Sequence, residues 1–312
     1  MSEPRISAVI TAYNSAKFIA QAIESVLAQT RIPDEILVVD DGSMDETQQV
    51  VSTYLESGLV RYIYQDNQGA GAARNTGIQN TTGEFLTFLD ADDLWLEDKT
   101  QRQEELLRAH PEVALVSGQL FWLDLHTGKR WLMLVAHKST FRGRCDILVN
   151  NWIGNPSIVM LRRSALNQVG LFNPALQWGQ DWELWIRMVS RFEVKVLPEP
   201  MIIYRSHEAN LSHMNQQKRL DCLWGISRSA IAAFQPAWLR PVLLMRSWSE
   251  SAFQRAEVAR KVKGSRGKQL AYASLALLSN PFESSGYKLK ELGRALVGER
   301  AYRQIRQAFK PR

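Results

Sequence analysis

Apolar residues recur along this chain with two alternating periods. Residues 6–12 (Ile-Ser-Ala-Val-Ile-Thr-Ala) are short, branched and apolar, the pattern of a buried strand. From about Ser15 the period lengthens, and Phe18, Ile19, Ala22, Ile23, Val26 and Leu27 mark the face of a helix laid on a sheet. The alternation then repeats. Glu35 to Asp40 predicts a second strand and Asp41-Gly42-Ser43 a turn. Asp45 then opens a helix with Val50, Val51, Tyr54 and Leu55 inward. Val60 to Tyr64 predicts a third strand, the glycine-rich Gly69 to Gly77 segment a helix, and Glu84 to Leu89 a fourth strand. Strands alternating with helices in this way specify a parallel sheet with right-handed crossovers.

After residue 95 the pattern changes. Lys99 to His110 predicts a helix stopped at Pro111, and Val113 to Leu125 with Arg130 to Val135 predict strands joined by a turn at 126–129. Leu161 to Val169 is expected to be a short helix and Asp181 to Arg191 a further one, its inner face formed by Leu184, Trp185, Met188 and Val189. Val194 to Leu197 and Met201 to Tyr204 are expected as two final strands. Beyond Ser212 only helical periods remain, over 216–234, 237–262, 266–279 and 288–309, with breaks at Pro236, Gly264, Gly267 and Pro281. The expected organisation is an α/β domain over 1–213, its first half about 1–95 and its second about 96–213, followed by an all-helical region over 214–312.

Charge sharpens that division. The 312 residues carry a formal net charge of +6, but residues 1–214 sum to −7 and residues 215–312 to +13. An acidic body with a basic tail suggests two regions with different tasks. Apolar residues make up 45% and charged residues 22%, which excludes a disordered chain. The longest apolar run, Leu270 to Leu278, is about half of a membrane span. No basic leader with an apolar signal core precedes the first strand, and Cys145 and Cys222 cannot form a disulfide framework. The expectation is a cytoplasmic protein whose two cysteines are small buried hydrophobes.

Polar residues gather where the strands end. Thr11, Tyr13 and Asn14 follow the first strand, Asp40 and Asp41 close the second, and Asp90, Asp92 and Asp93 follow the fourth. A lone Asp after a strand is usually a turn former. Several carboxylates on one sheet edge are costly unless a cation or a donor-rich ligand neutralises them, and in open α/β sheets ligands bind at that edge.

Five segments in order carry a family resemblance: Val9-Ile10-Thr11-Ala12-Tyr13-Asn14, Val38-Val39-Asp40-Asp41-Gly42-Ser43, Ala73-Arg74-Asn75-Thr76-Gly77, Leu89-Asp90-Ala91-Asp92-Asp93 and Asp181-Trp182-Glu183-Leu184. Together they resemble the family 2 glycosyltransferases over roughly residues 5–213. The resemblance implies a GT-A fold, a Rossmann-like and mostly parallel sheet flanked by helices. It also implies a donor that is a nucleotide-diphosphate sugar, with a UDP-sugar favoured, and a Mn²⁺ or Mg²⁺ cofactor.

By that resemblance, Thr11, Ala12, Tyr13 and Asn14 meet the base and Asp41 accepts its imide N–H. Arg74 and Asn75 steady the sugar or diphosphate. Asp90-Ala91-Asp92 is the metal motif, with Asp92 ligating directly and Asp90 facing the ribose or a metal-bound water. Asp181 is the implied general base of an inverting transfer, with Glu183 in reserve and Gln180 replacing a frequent Glu. Arg205 is expected to pair with phosphate and His207 to touch metal or phosphate. For each residue a plainer role competes: core packing for Tyr13, helix capping for Asp41 and Asp181, a surface helix for Arg74, a structural imidazole for His207.

Processive members carry membrane helices and a Gln-x-x-Arg-Trp run. Here Gln216-Gln217-Lys218-Arg219-Leu220 lacks the Trp, which favours single-sugar transfer to a glycan or lipid-linked acceptor. A sugar-phosphate nucleotidyltransferase would want a basic glycine-rich loop after the first strand, where Thr11-Ala12-Tyr13-Asn14-Ser15 stands instead. A catalytically silent sugar- or membrane-binding module is the non-enzyme alternative. Nucleic acid is not an expected partner. The tail, with Trp238, Leu243, Leu244, Trp248 and Phe253 interleaved with Arg240, Arg246 and Arg255, is expected to lie on an anionic membrane or to pack on the acidic body.

Overall fold

A computed structural model describes residues 5–134, 145–210, 215–261 and 266–279. The chain divides into two compact units, one of Met1–Ile147 with Asn151–Asn210 and the other of Leu148–Asn150 with Leu211–Arg312.

The first unit is built on one 9-stranded sheet. Its leading half is β1 (Ile6–Ala12), α1 (Ile19–Leu27), β2 (Glu35–Asp41), α2 (Thr47–Ser52), β3 (Val60–Gln65), α3 (Ala70–Gln79) and β4 (Phe85–Asp90). These strands pair in parallel in the order β3-β2-β1-β4. β1 and β2 are buried on both faces, as strands covered by helices must be. Close packing of α3 on β1 depends on Gly77, because a Cβ there would lie 2.2 Å from Val9 Cγ1.

The trailing half adds β5 (Leu94–Trp95), α4 (Lys99–Ala109), β6 (Val113–Asp124), β7 (Arg130–Met133), β8 (Met160–Arg162), α5 (Arg163–Val169), α6 (Gln180–Arg191) and β9 (Glu193–Ser206). The sheet continues β8-β6-β9-β5, with β7 hairpinned onto β6. β8 runs antiparallel to both β4 and β6, and β6 pairs in parallel with β9. β1 to β4, β6 and β9 therefore point the same way, and their carboxyl ends share one edge.

Three expectations need correction. Met160–Arg162 is a buried strand and only Arg163–Val169 is helical, because the apolar run from Ile158 suits a strand buried between two neighbours as well as a helix. Residues 193–206 form one strand, not two. Pro198 and Pro200 fall where the β6–β9 register shifts, so the missing N–H groups interrupt little. Leu55 is exposed, in a 3₁₀ turn after a helix of only 6 residues.

The second unit holds α7 (Gln216–Ala233), α8 (Arg240–Lys261) and α9 (Arg266–Ser279). Ala252, Ala256 and Ala259 are buried on α8, and small side chains at that spacing let helices approach closely. The helix expected over 288–309 lies outside the described residues. Both cysteines are free, and both are half-buried, not buried. Among the described residues no helix is long and apolar enough to cross a membrane.

Candidate active site

The carboxyl edge collects most of the polar residues singled out above, in two distinct states. Some are bonded into the framework. Asp41 Oδ1 accepts from Gln65 Nε2 (2.7 Å) and the Gln68 N–H (3.0 Å), and its Oδ2 accepts from the Gly69 N–H (2.8 Å). It thus ties β2 to the loop entering α3. Asp40 accepts from the Ser43 N–H and Tyr62 Oη, both at 2.8 Å, and the half-buried phenol is pushed well above its usual range by desolvation and that carboxylate. Asn14 stands at φ 46, a left-handed position Asn tolerates. It bonds Ser43 Oγ (2.8 Å) and the Met44 N–H (2.9 Å), joining the loops after β1 and β2. Asn75 is also spent, its amide exchanging two hydrogen bonds with the Phe172 backbone (2.8 and 3.0 Å).

Arg205 does not match the expected phosphate contact. Its guanidinium is turned inward and donates to Gln21 Oε1 and to the carbonyls of Ala91, Asp92 and Asp93. The Phe18 ring faces it at 4.9 Å. It holds the loop after β4 from below. Asp93 is a second anchor of that loop, fully buried and accepting from Ser157 Oγ (2.7 Å), Asn155 Nδ2 (3.0 Å) and the Arg205 N–H (3.3 Å). Burial and the neighbouring carboxylates lift its carboxyl well above the ordinary range. Ser157 also accepts from the Asp90 N–H (3.0 Å), so one hydroxyl fixes both ends of the motif. Ser157 and Asn155 were not found from the sequence, since nothing marks a Ser or Asn as a loop anchor before the loop it holds is known.

The other residues keep capacity for a ligand. Tyr13 is 51% exposed at the end of β1, with its ring clear of the core. Ala12 and Ala91 are buried backbone positions, and the Ala91 N–H bonds Thr11 O (3.0 Å). Asp90 receives Arg74 Nη2 (2.5 Å) and Thr11 Oγ1 (3.1 Å). The Arg74 guanidinium is buried, lies 5.6 Å from the Phe172 ring, and leaves Nε without a partner among the described residues.

Asp92 Oδ2 sits 3.1 Å from His207 Nε2 and accepts from Asn210 Nδ2 (2.8 Å). Burial and the charge of Asp90 raise its carboxyl, against the pull of His207. His207 in turn stacks on Phe18 at 4.9 Å. No three His, Cys, Asp or Glu side chains among the described residues converge tightly enough to cage a metal. A carboxylate with one imidazole fits a Mg²⁺ or Mn²⁺ ion that takes its remaining ligands from phosphate and water.

Asp181 lies in the first turn of α6, which starts from Gly179 at φ 75. Burial raises its carboxyl, Asp90 adds to the rise, and the Trp182 N–H and the Arg74 charge oppose it. Among the described residues a single side chain bonds it: Asn151 Nδ2 donates to Oδ2 at 3.2 Å. Asn151 is itself clamped, its Oδ1 accepting from the N–H groups of Ile153 (3.3 Å) and Gly154 (3.2 Å). Glu183 is bound bidentately by Arg187 (2.8 and 2.7 Å), so the reserve candidate is held in an ion pair. Gln180 donates to Leu176 O and Gln177 O and stiffens the turn before the helix.

A family model for glycosyl transferase family 2 matches residues 7–170. The chain is 39% identical over 263 residues to the putative glycosyltransferase EpsH of Bacillus subtilis, covering 71% of this chain and 74% of that one. Among solved structures it is similar to Staphylococcus aureus TarS 1-349 in complex with UDP-GlcNAc, with a TM-score of 0.68 at 17% identity over 99% of this chain and 93% of that one. It is also similar to the Pyrobaculum calidifontis mannosyltransferase PcManGT in complex with GDP-Man and Mn²⁺, with a TM-score of 0.60 at 19% identity over 96% and 89%. The GT-A-type sheet, the motif order and these likenesses converge on one conclusion: the chain belongs to the family 2 glycosyltransferases.

Proposed function

We propose that the protein transfers one sugar, with inversion, from a nucleotide-diphosphate sugar to a hydroxyl of a glycan or lipid-linked acceptor. The observation that carries this reading is the chain Asp181, Arg74, Asp90, in which a buried guanidinium lies between two half-buried carboxylates. A base with a raised carboxyl lies within electrostatic reach of a guanidinium paired to the metal-motif carboxylate at 2.5 Å. The acceptor oxygen attacks the anomeric carbon, its proton passes to Asp181, and the bond to the diphosphate breaks with its electrons going to the departing phosphate oxygen. Asn151 fixes the Asp181 carboxylate, and Arg74 stabilises negative charge as it shifts. Asp92 and His207 would hold Mn²⁺ or Mg²⁺, which supplies Lewis-acid neutralisation of the leaving diphosphate.

Tyr13 offers an exposed face to the base, and Asp41 Oδ2, with one bond in place, retains a lone pair for an imide N–H. The relatives that bind UDP-GlcNAc or GDP-Man support a nucleotide-sugar donor, with UDP-sugars favoured. A role in surface polysaccharide or lipopolysaccharide synthesis at the inner face of the plasma membrane fits an exposed apolar row on the second unit. Trp238 is 74% exposed, and Val242, Met245 and Trp248 follow at helical spacing. Leu243 is buried, Arg240 donates to Phe234 O and Arg255 pairs with Asp221, so the membrane-facing set is smaller than the sequence suggested.

The test is to incubate the protein with Mn²⁺ and each of a set of UDP-sugars, and to measure released UDP. Release that EDTA abolishes supports the reading. Pyrophosphate release, or no release from any donor, overturns it.

A further inference from the structure

The trailing half of the sheet carries a row of aromatic rings that no part of the donor chemistry uses. Trp122 on β6 pairs directly with Trp131 on β7 and with Tyr204 on β9, so all three side chains share one face of the sheet. Trp122 and Tyr204 lie 4.6 Å apart by ring centroids, and Trp122 and Trp131 lie 6.1 Å apart with planes within 20°. The row crosses two strand spacings, roughly 10 Å. Its outer member, Trp131, is 47% exposed, on a strand whose four residues are all exposed.

The place of this row decides what it meets. Trp122 and Tyr204 stand near the carboxyl ends of β6 and β9, the edge that also holds Asp90 and Asp92. Arg205, directly after Tyr204, donates its N–H to Asp93, and His207 reaches Asp92. Tyr204 thus stands one residue before a backbone group that bonds the motif loop, and from it the row crosses β6 to the hairpin strand β7. Beyond it the hairpin turn exposes His126, Thr127 and Lys129 beside Leu125, and Asp124 Oδ1 accepts from the N–H groups of His126 (2.9 Å) and Thr127 (3.1 Å). A sugar chain wants this arrangement, with flat apolar faces for its C–H surfaces and polar groups along the rim for its hydroxyls.

We propose that Tyr204, Trp122 and Trp131 form a stacking strip for the saccharide portion of the acceptor, running outward from the reacting hydroxyl. This rests on the reading of the site as a sugar transferase with a glycan acceptor. Its test is separable from that reading. The probes are maltotetraose, cellotetraose and chitotetraose, followed by tryptophan fluorescence and by acrylamide quenching on the full chain. At least one should shield a tryptophan. Trp131→Ala should weaken that binding by about tenfold and Trp131→Phe should restore most of it, as expected for one aromatic stacking contact. UDP binding should be the same in all three proteins, since the ring that Trp131 stacks on is Trp122 and not a donor residue. The inference is overturned if none of the three saccharides shields tryptophan, or if Trp131→Ala binds them as tightly as wild type. It is also overturned if phosphatidylglycerol vesicles alone shield Trp131, or if Trp131→Ala changes the oligomeric state, because the strip would then serve a membrane or a second copy. Loss of UDP binding in the wild type would instead sink the donor reading.

Discussion

The two halves of the sheet divide the labour at its carboxyl edge unequally. In the half from β1 to β4 several motif residues are spent largely on the protein itself: Asp40, Asp41, Asn14 and Asn75 each hold one loop against another. The half from β8 to β9 supplies Asp181, the proposed base, with its amide partner and His207, and from there Ser157, Asn155, Arg205 and Asn210 reach across to fix the Asp90–Asp93 loop. The first half is mainly a shape for the donor. The second half decides where reactive groups stand. A motif residue can thus be required without touching substrate, and substitutions on the two sides should fail differently.

The largest effect is expected at Asp181. Asp181→Asn keeps its shape but cannot take a proton, so turnover should fall by roughly 10²-fold or more while donor affinity and melting temperature hold. Because burial raises the wild-type carboxyl and only its ionised form is a base, kcat/KM should decline on the acid side at a higher pH than an ordinary aspartate would give. Asp92→Ala comes next: Mn²⁺ should no longer strengthen UDP-sugar binding in calorimetry, with the fold intact. Among the residues that hold one loop against another, Asp41→Ala removes three hydrogen bonds to a charged acceptor and should cost about 3 kcal/mol in denaturant unfolding. An Asp41→Ala protein of unchanged stability would break the contrast.

Lys99 gives a smaller and more particular effect. It is fully buried, with Nζ donating to Thr87 Oγ1 (2.7 Å) and Gln103 Oε1 (2.9 Å), and burial drives its amine well below the usual range. The unfolded chain then binds a proton that the folded chain does not. Stability should rise as pH climbs toward the ordinary lysine value of about 10.4, and Lys99→Met should flatten that rise in a series of thermal melts. The smallest change is expected for Glu183→Gln. It loosens a half-buried i,i+4 ion pair with Arg187 and should leave transfer rates nearly unchanged.

Much of this was legible in the residues. Buried strands and amphipathic helices impose strong periods, so β1 to β4 and α6 follow from the pattern, and the acidic strand ends located the site edge. β8 was missed because three buried residues carry no period of their own, and β9 was split because its prolines read as an interruption when a shifted register accommodates them. The roles were harder than the positions. Arg205 and Asn75 were identified but face inward, since the number of hydrogen bonds a side chain spends on backbone depends on loops that only the tertiary structure brings near. Asn151 was missed for the same reason.

β8 has a further consequence, for the order in which the sheet can be made. Met160–Arg162 lies between β4 and β6, strands that precede it in the chain by about 40 residues or more, so the middle of the sheet is the part closed by late synthesis. Until residue 162 has left the ribosome, Phe85, Leu86 and Thr87 present a bare, wholly apolar-flanked strand edge, the kind of surface that recruits foreign strands. A nascent chain stalled between β4 and β8 should therefore depend on chaperones and aggregate without them, whereas a chain that has passed Arg162 has sealed its own most adhesive seam.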